Sequence, residues 1–130
     1  MIRTIIFATL ALLVTIGGAR QSHAATQDYR FERVDQTIHM GHDITVSVHL
    51  TQVSTGKTIA NATITGQKLQ MLMGGMTMPG QVKALTPDEN GNYRFACDVT
   101  MAGAWQLDLS ATVPGEQDPV HGTIKFSVVQ

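Results

Sequence analysis

Four of the chain's seven methionines fall in one run, Met71-Leu-Met-Gly-Gly-Met-Thr-Met-Pro-Gly80. They form two Met-x-Met pairs across Gly74-Gly75. In an extended backbone alternate side chains share a face, so Met71 and Met73 point together, and so do Met76 and Met78. A thioether is soft and uncharged at any pH, a donor suited to Cu(I). It is also an ordinary filler of irregular core gaps. The glycine pair favours the first use. A buried strand has little need of it, whereas a loop that wraps thioethers around an ion does.

A second cluster, His39-Met40-Gly41-His42, lies just before a strand that opens at Asp43. The next hairpin returns the chain, so the start of strand 43–51 and the end of strand 58–70 share a pole. This places His39, Met40 and His42 near Met71 and Met73. Sulfur there would serve Cu(I) and imidazole nitrogen would serve Cu(II). Oxygen-seeking Ca²⁺ or Mg²⁺ is poorly served, because no carboxylate cluster accompanies these residues. The candidate copper ligands are therefore Met71, Met73, Met76 and Met78, with His39, Met40 and His42 as co-ligands. The competing reading is structural: His42 shares parity with Ile44 and caps its strand, and methionines at alternate strand positions are core or edge.

Other reactive side chains carry less. Met101 shares parity with Phe95 and Val99 and reads as a core residue. It reaches the methionine pole only if residues 80–87 return antiparallel to the strand before them. Cys97, between Phe95 and Val99, reads as a buried, inert thiol. His49 on a polar strand face and His121 at the start of the last strand read as solvated. Asn61-Ala-Thr63 matches a glycosylation acceptor, but on an inner strand it reads as a chance match. No Gly-x-Ser-x-Gly elbow, phosphate-cradling Gly-rich loop, His-Glu-x-x-His or Cys-x-x-Cys occurs. The acids are scattered singly, with no pair placed for acid–base work. The expectation is a protein that is not an enzyme.

The elements that must position these residues begin after an unlike N-terminus. Met1-Ile-Arg3 is a positive start, Ile5 to Ile16 is almost unbroken apolar sequence, and Ser22-His23-Ala24 supplies small residues before a cut. That is the layout of a secretory signal peptide, residues 1–24, ahead of one domain at 25–130. Read instead as an uncleaved anchor, the apolar run is short of the ~20 residues a spanning helix needs. The full chain carries a net charge of −1, and loss of Arg3 and Arg20 makes it mildly acidic. There is no basic field for nucleic acid. The single cysteine makes no internal disulfide, and a domain of this size can bury a core without one.

Beyond residue 25 the periodicity is near two. Tyr29 and Phe31 mark a first strand. Ile44, Val46, Val48 and Leu50 mark the clearest one. Ala60, Ala62 and Ile64 run inward after a turn at 54–57, and a parity change near Gly66 predicts a bulge. Val82 and Ala84 make a weak strand, and Pro87 to Asn92 a turn. Tyr93 to Met101, Trp105 to Leu109 and Ile124 to Val128 alternate in the same way. About seven short strands with turn chemistry between them predict an all-β sandwich or small barrel.

From residue 34 to 109 the chain resembles the YtkA-like domain family, and more distantly the FixH family. The matching features are strand Asp43–Leu50, the hairpin Gly56-Lys-Thr-Ile-Ala-Asn-Ala-Thr-Ile64 and the Met-rich segment 71–80. Gly91-Asn-Tyr93 and Met101-Ala-Gly-Ala-Trp-Gln-Leu107 follow in order. Thr58 stands where the family's hairpin usually has proline. The resemblance implies an immunoglobulin-like sandwich outside the cytoplasm, periplasmic or extracellular. Such domains occur alone or joined to metal-efflux adaptors, and FixH relatives assist assembly of copper-containing oxidases. Copper carriers of the CopC type share the sandwich, but their N-terminal histidine has no counterpart in Ala25-Thr-Gln-Asp28. The expectation is an exported copper-binding protein for delivery, buffering or resistance. The alternative is a metal-free module that docks an envelope partner, an efflux adaptor or an oxidase subunit, with membrane attachment only if the N-terminal segment stays uncleaved.

Overall fold

The computed structural model describes residues 28–34 and 36–130. The expected signal segment, 1–24, lies outside them. Ten strands follow in order: β1 (Tyr29–Arg33), β2 (Ile38–His39), β3 (Gly41–Gln52), β4 (Lys57–Thr58), β5 (Thr63–Met73), β6 (Met76–Gly80), β7 (Val82–Ala84), β8 (Tyr93–Val99), β9 (Gly103–Thr112) and β10 (Val120–Val129). They form two sheets. One runs β1-β3-β8-β7 with β4 also on β3; the other runs β2-β10-β9-β5-β6. Among the described residues no helix is long and apolar enough to cross a membrane.

The two-residue alternation read from the sequence is what closes the sandwich. Val46, Val48 and Leu50 from β3 and Phe95, Cys97 and Val99 from β8 face Leu107 and Leu109 from β9, Leu69 from β5 and Ile124, Phe126 and Val128 from β10. Each is almost fully removed from water, and burial of each large side chain contributes about 1.5–3 kcal/mol. Gly122 of β10 faces inward, and an added Cβ there would collide with the Phe31 ring of β1. The missing side chain is what lets Phe31 close this end of the core.

Residues 59–62 differ from the sequence reading. They are not an inward strand but the crossing from the first sheet to the second, with Ala60 and Asn61 exposed. The Tyr93 hydroxyl pins that crossing. It donates to the Ile59 carbonyl at 2.7 Å and accepts from the Ala62 amide at 3.0 Å. The expected bulge is present, as a register shift of β5 against β9 between Ile64 and Gly66.

Candidate metal site: a methionine hairpin at one pole

The Met-rich run is a hairpin. β5 and β6 pair antiparallel, with Met71 opposite Met78, Leu72 opposite Thr77, and Met73 opposite Met76. Only Gly74-Gly75 joins them, at φ 46 and φ 91. Positive φ at both central residues is the mark of a type I′ turn, whose twist matches that of the flanking strands. The glycines therefore close a tight hairpin rather than a wrapping loop. Pro79 stands on the edge strand, where a missing N–H is tolerated and helps keep another strand from adding.

This register makes one face out of two pairs. Residues two apart on a strand share a face, and so do residues directly opposite. Leu69 and Met71 point into the core, so Met73, Met76 and Met78 lie on the inner side of the second sheet as well. Cross-strand Cβ atoms sit about 5 Å apart and the diagonals about 7–8 Å. Four methionines thus share one small patch of the sheet, each with a flexible three-torsion side chain, Met71 from beneath and the other three from above the core. Their exposures differ: 6% for Met71, 42% for Met78, 44% for Met73 and 75% for Met76. Met71 is a core side chain in contact with Trp105's strand. The other three line the open mouth of the sandwich.

The second cluster shares the pole but not this face. Ile38 pairs with Val128 and is buried, so His39, opposite Val129, faces outward. Its Nδ1 lies 3.1 Å from the Gln130 carbonyl. β2 and β6 are opposite edges of the same sheet, four strand spacings or about 19 Å apart. The Met40 amide donates to the Val129 carbonyl at 2.9 Å, which fixes Met40 beside that far edge. His42 occupies the register shift between Gly41 and Ile44, followed by Asp43 at φ 52. Its Nδ1 is 3.6 Å from Asp98 Oδ1, an oxygen that also accepts from the Asp43 amide at 2.9 Å. Asp98 alternates with buried Cys97 and Val99, so His42 stands on the outer face of the first sheet. Shared polarity of the strands was read correctly, but His39, Met40 and His42 are not brought to the methionines. Two placements account for this: the lateral order of strands puts β2, with His39 and Met40, at the far edge of the second sheet, and the register shift of β3 turns His42 to the outer face of the first.

Met101, whose parity with Phe95 and Val99 predicts a core position, lies outside the core. β8 ends at Val99, and the chain bends through Met101 and Ala102 into β9, leaving Met101 42% exposed at the methionine pole. Its carbonyl accepts from Trp105 Nε1 at 2.9 Å. His49 stays on the polar face of its strand, as read, but only 31% of its side chain is exposed. It is half-buried, with Nε2 2.9 Å from Glu32 Oε2 across β1 and β3, and this bond holds the Glu32 carboxyl below its ordinary range. His121 is exposed, its Nδ1 2.9 Å from Ser110 Oγ. Cys97 is fully buried, and that burial pushes its thiol up to about 12. Among the described residues no three His, Cys, Asp or Glu side chains gather as a metal site. The thioether face is the one set of grouped soft donors that this register builds.

These features define an all-β, two-sheet sandwich with a methionine hairpin at one pole. A model of the YtkA-like family matches residues 23–110, and the chain belongs to that family. No curated protein sequence matches it. Among solved structures it is similar to FetP of uropathogenic E. coli strain F11, expressed recombinantly in the periplasm of E. coli BL21(DE3). That match has 16% sequence identity and a TM-score of 0.49, covering 78% of this chain and 89% of that chain.

Proposed function

We propose that this chain is an exported, non-enzymatic protein that binds Cu(I) through Met73, Met76 and Met78, with Met71 at the base of the site. Its role is delivery, buffering or resistance. The observation that carries this reading is the hairpin register, which gathers two Met-x-Met pairs on one face beside open solvent. Thioethers favour Cu(I) over harder ions. The reading narrows the ligand set: His39 and His42 point away, so nitrogen takes no part. Thioethers do not protonate in the accessible pH range, so binding persists at acid pH where imidazole ligation is lost.

The test is a titration with Cu(I) in competition with a chromogenic chelator, wild type against the triple change Met73→Leu, Met76→Leu and Met78→Leu. Leucine keeps bulk and apolarity and removes sulfur. The triple variant is expected to lose at least tenfold in affinity, with an unchanged fold by circular dichroism. Equal affinity of the two proteins would contradict the proposal.

A second reading rests on a different observation. Of the seven large hydrophobic side chains exposed among the described residues, all but Val53 lie at this pole: Met40, Met73, Met76, Met78, Met101 and Val129. Such an adaptable apolar end suits docking of an envelope partner. Failure to bind Cu(I), together with loss of partner binding in the same triple variant, would favour this reading.

A further inference from the structure

The hairpin supplies sulfur from one side only. We propose that Met101 is a further ligand of the same ion, reaching it from the β8–β9 connection, and that Trp105 is the residue that positions it. This rests on the reading that the hairpin binds Cu(I).

Trp105 pairs with Met71 across β5 and β9, and it is 3% exposed. Its indole therefore lies on the same inner side of the sheet as the four thioethers. One end of the ring passes beneath β6, since an added Cβ at Gly80 would lie 3.0 Å from Trp105 Cζ3. Its other end donates Nε1–H to the Met101 carbonyl. The ring thus runs under the methionine face from Gly80, two residues beyond Met78, to Met101. Gly103 brings the connection in close: an added Cβ there would lie 2.9 Å from the Met71 Cε methyl. At φ 143 Gly103 also adopts a backbone conformation that glycine favours.

The backbone at Met101 is consequently tied, through its own carbonyl, to the end of the indole that underlies the thioether face. Parity with Phe95 and Val99 would have buried the side chain had β8 continued; the bend at Met101–Ala102 leaves it facing solvent instead. Met40 is the matched comparison. It has the same 42% exposure at the same pole, but it sits by the β2 edge with no link to the hairpin. Exposure alone would make the two equivalent; position makes only Met101 a ligand.

The experiment uses protein labelled with ¹³C at the methionine methyls and titrated with Ag(I), a redox-stable stand-in for Cu(I). The resonances are assigned by single Met→Leu changes. The Met73, Met76, Met78 and Met101 methyls are expected to shift together and saturate at one equivalent, while Met40 stays in place. Met101→Leu should lower Ag(I) affinity about tenfold, and Met40→Leu should leave it unchanged. Trp105→Phe keeps an aromatic filler but removes the N–H; it should abolish the Met101 shift while the hairpin methyls still respond. In the Met101→Leu background the same change should cost little further affinity. A Met101 methyl that stays fixed while the hairpin methyls shift would overturn this inference and leave the hairpin site standing. Hairpin methyls that also stay fixed would overturn both.

Discussion

The four hairpin methionines differ in what they do for the fold, and truncation should separate them. Met71 is 6% exposed beside Leu69 and Trp105, whereas Met76 is 75% exposed at the hairpin tip. Removing a buried methionine side chain costs about 2–5 kcal/mol, from lost burial and the cavity left behind. Met71 ends the core next to an open mouth, where neighbours and water can partly fill the space, so the lower half of that range applies to Met71→Ala. For a domain of this size each kcal/mol moves the melting temperature by about 4–8 °C. The expected drop is therefore about 8–28 °C. Met76→Ala lies on the surface and should stay within about 0.5 kcal/mol of wild type. Met71→Leu keeps the volume and should cost less than about 1.5 kcal/mol. Thermal unfolding followed by far-ultraviolet circular dichroism, with a chelator present to exclude metal stabilisation, measures all three. Equal melting temperatures for Met71→Ala and Met76→Ala would refute the placement of Met71 in the core.

Other outcomes follow from the same geometry. Gly75→Val must adopt φ 91 although nothing lies within 4 Å of the added Cβ. It should lose about 1–2 kcal/mol from backbone strain alone, while Gly74→Asn, suited to a type I′ turn, should hold or raise the melting temperature. Asp88 accepts from the amides of Asn90 and Asn92 and from the Asn92 side chain. The Asn92 amide bond foremost holds its carboxyl below the ordinary 3.8. A depressed folded value means that this stabilisation is present above about pH 4 and is lost as pH falls through it. Urea unfolding from pH 5 to pH 2 should therefore show a shallower acid decline for Asp88→Asn than for wild type; parallel curves would count against the turn's role. Cys97, fully buried with its thiol pushed up to about 12, should resist a thiol reagent at pH 8 until denaturant is added.

How much of this was legible in the sequence depends on the range over which each feature is decided. β8 and β9 could be read from alternation alone, because each inward residue from Tyr93 to Val99 and from Trp105 to Leu109 meets a core that needs it. The bulge at Gly66 was legible for the same reason, as a local change of parity. The hairpin is also written in the sequence, because two apolar runs separated by Gly-Gly are a type I′ hairpin signal; thioether spacing alone, which suggests a loop wrapped around an ion, does not reveal it. The placement of His39 was out of reach. β2 is two residues long and pairs parallel with β10, the last strand of the chain, so its position depends on a contact across most of the sequence. Met101 illustrates a third case, in which a correct pattern was carried two residues past the end of its strand. His49 depended on register, because its partner Glu32 is identified only once β1 is laid against β3.

X-ray absorption at the copper edge of the Cu(I)-loaded protein reads the ligand set itself. Thioether ligation gives sulfur scatterers alone around one copper ion, unchanged in His39→Ala/His42→Ala and lost in Met73→Leu/Met76→Leu/Met78→Leu. An imidazole signature in the spectrum, or the same sulfur coordination in the triple variant, would contradict it.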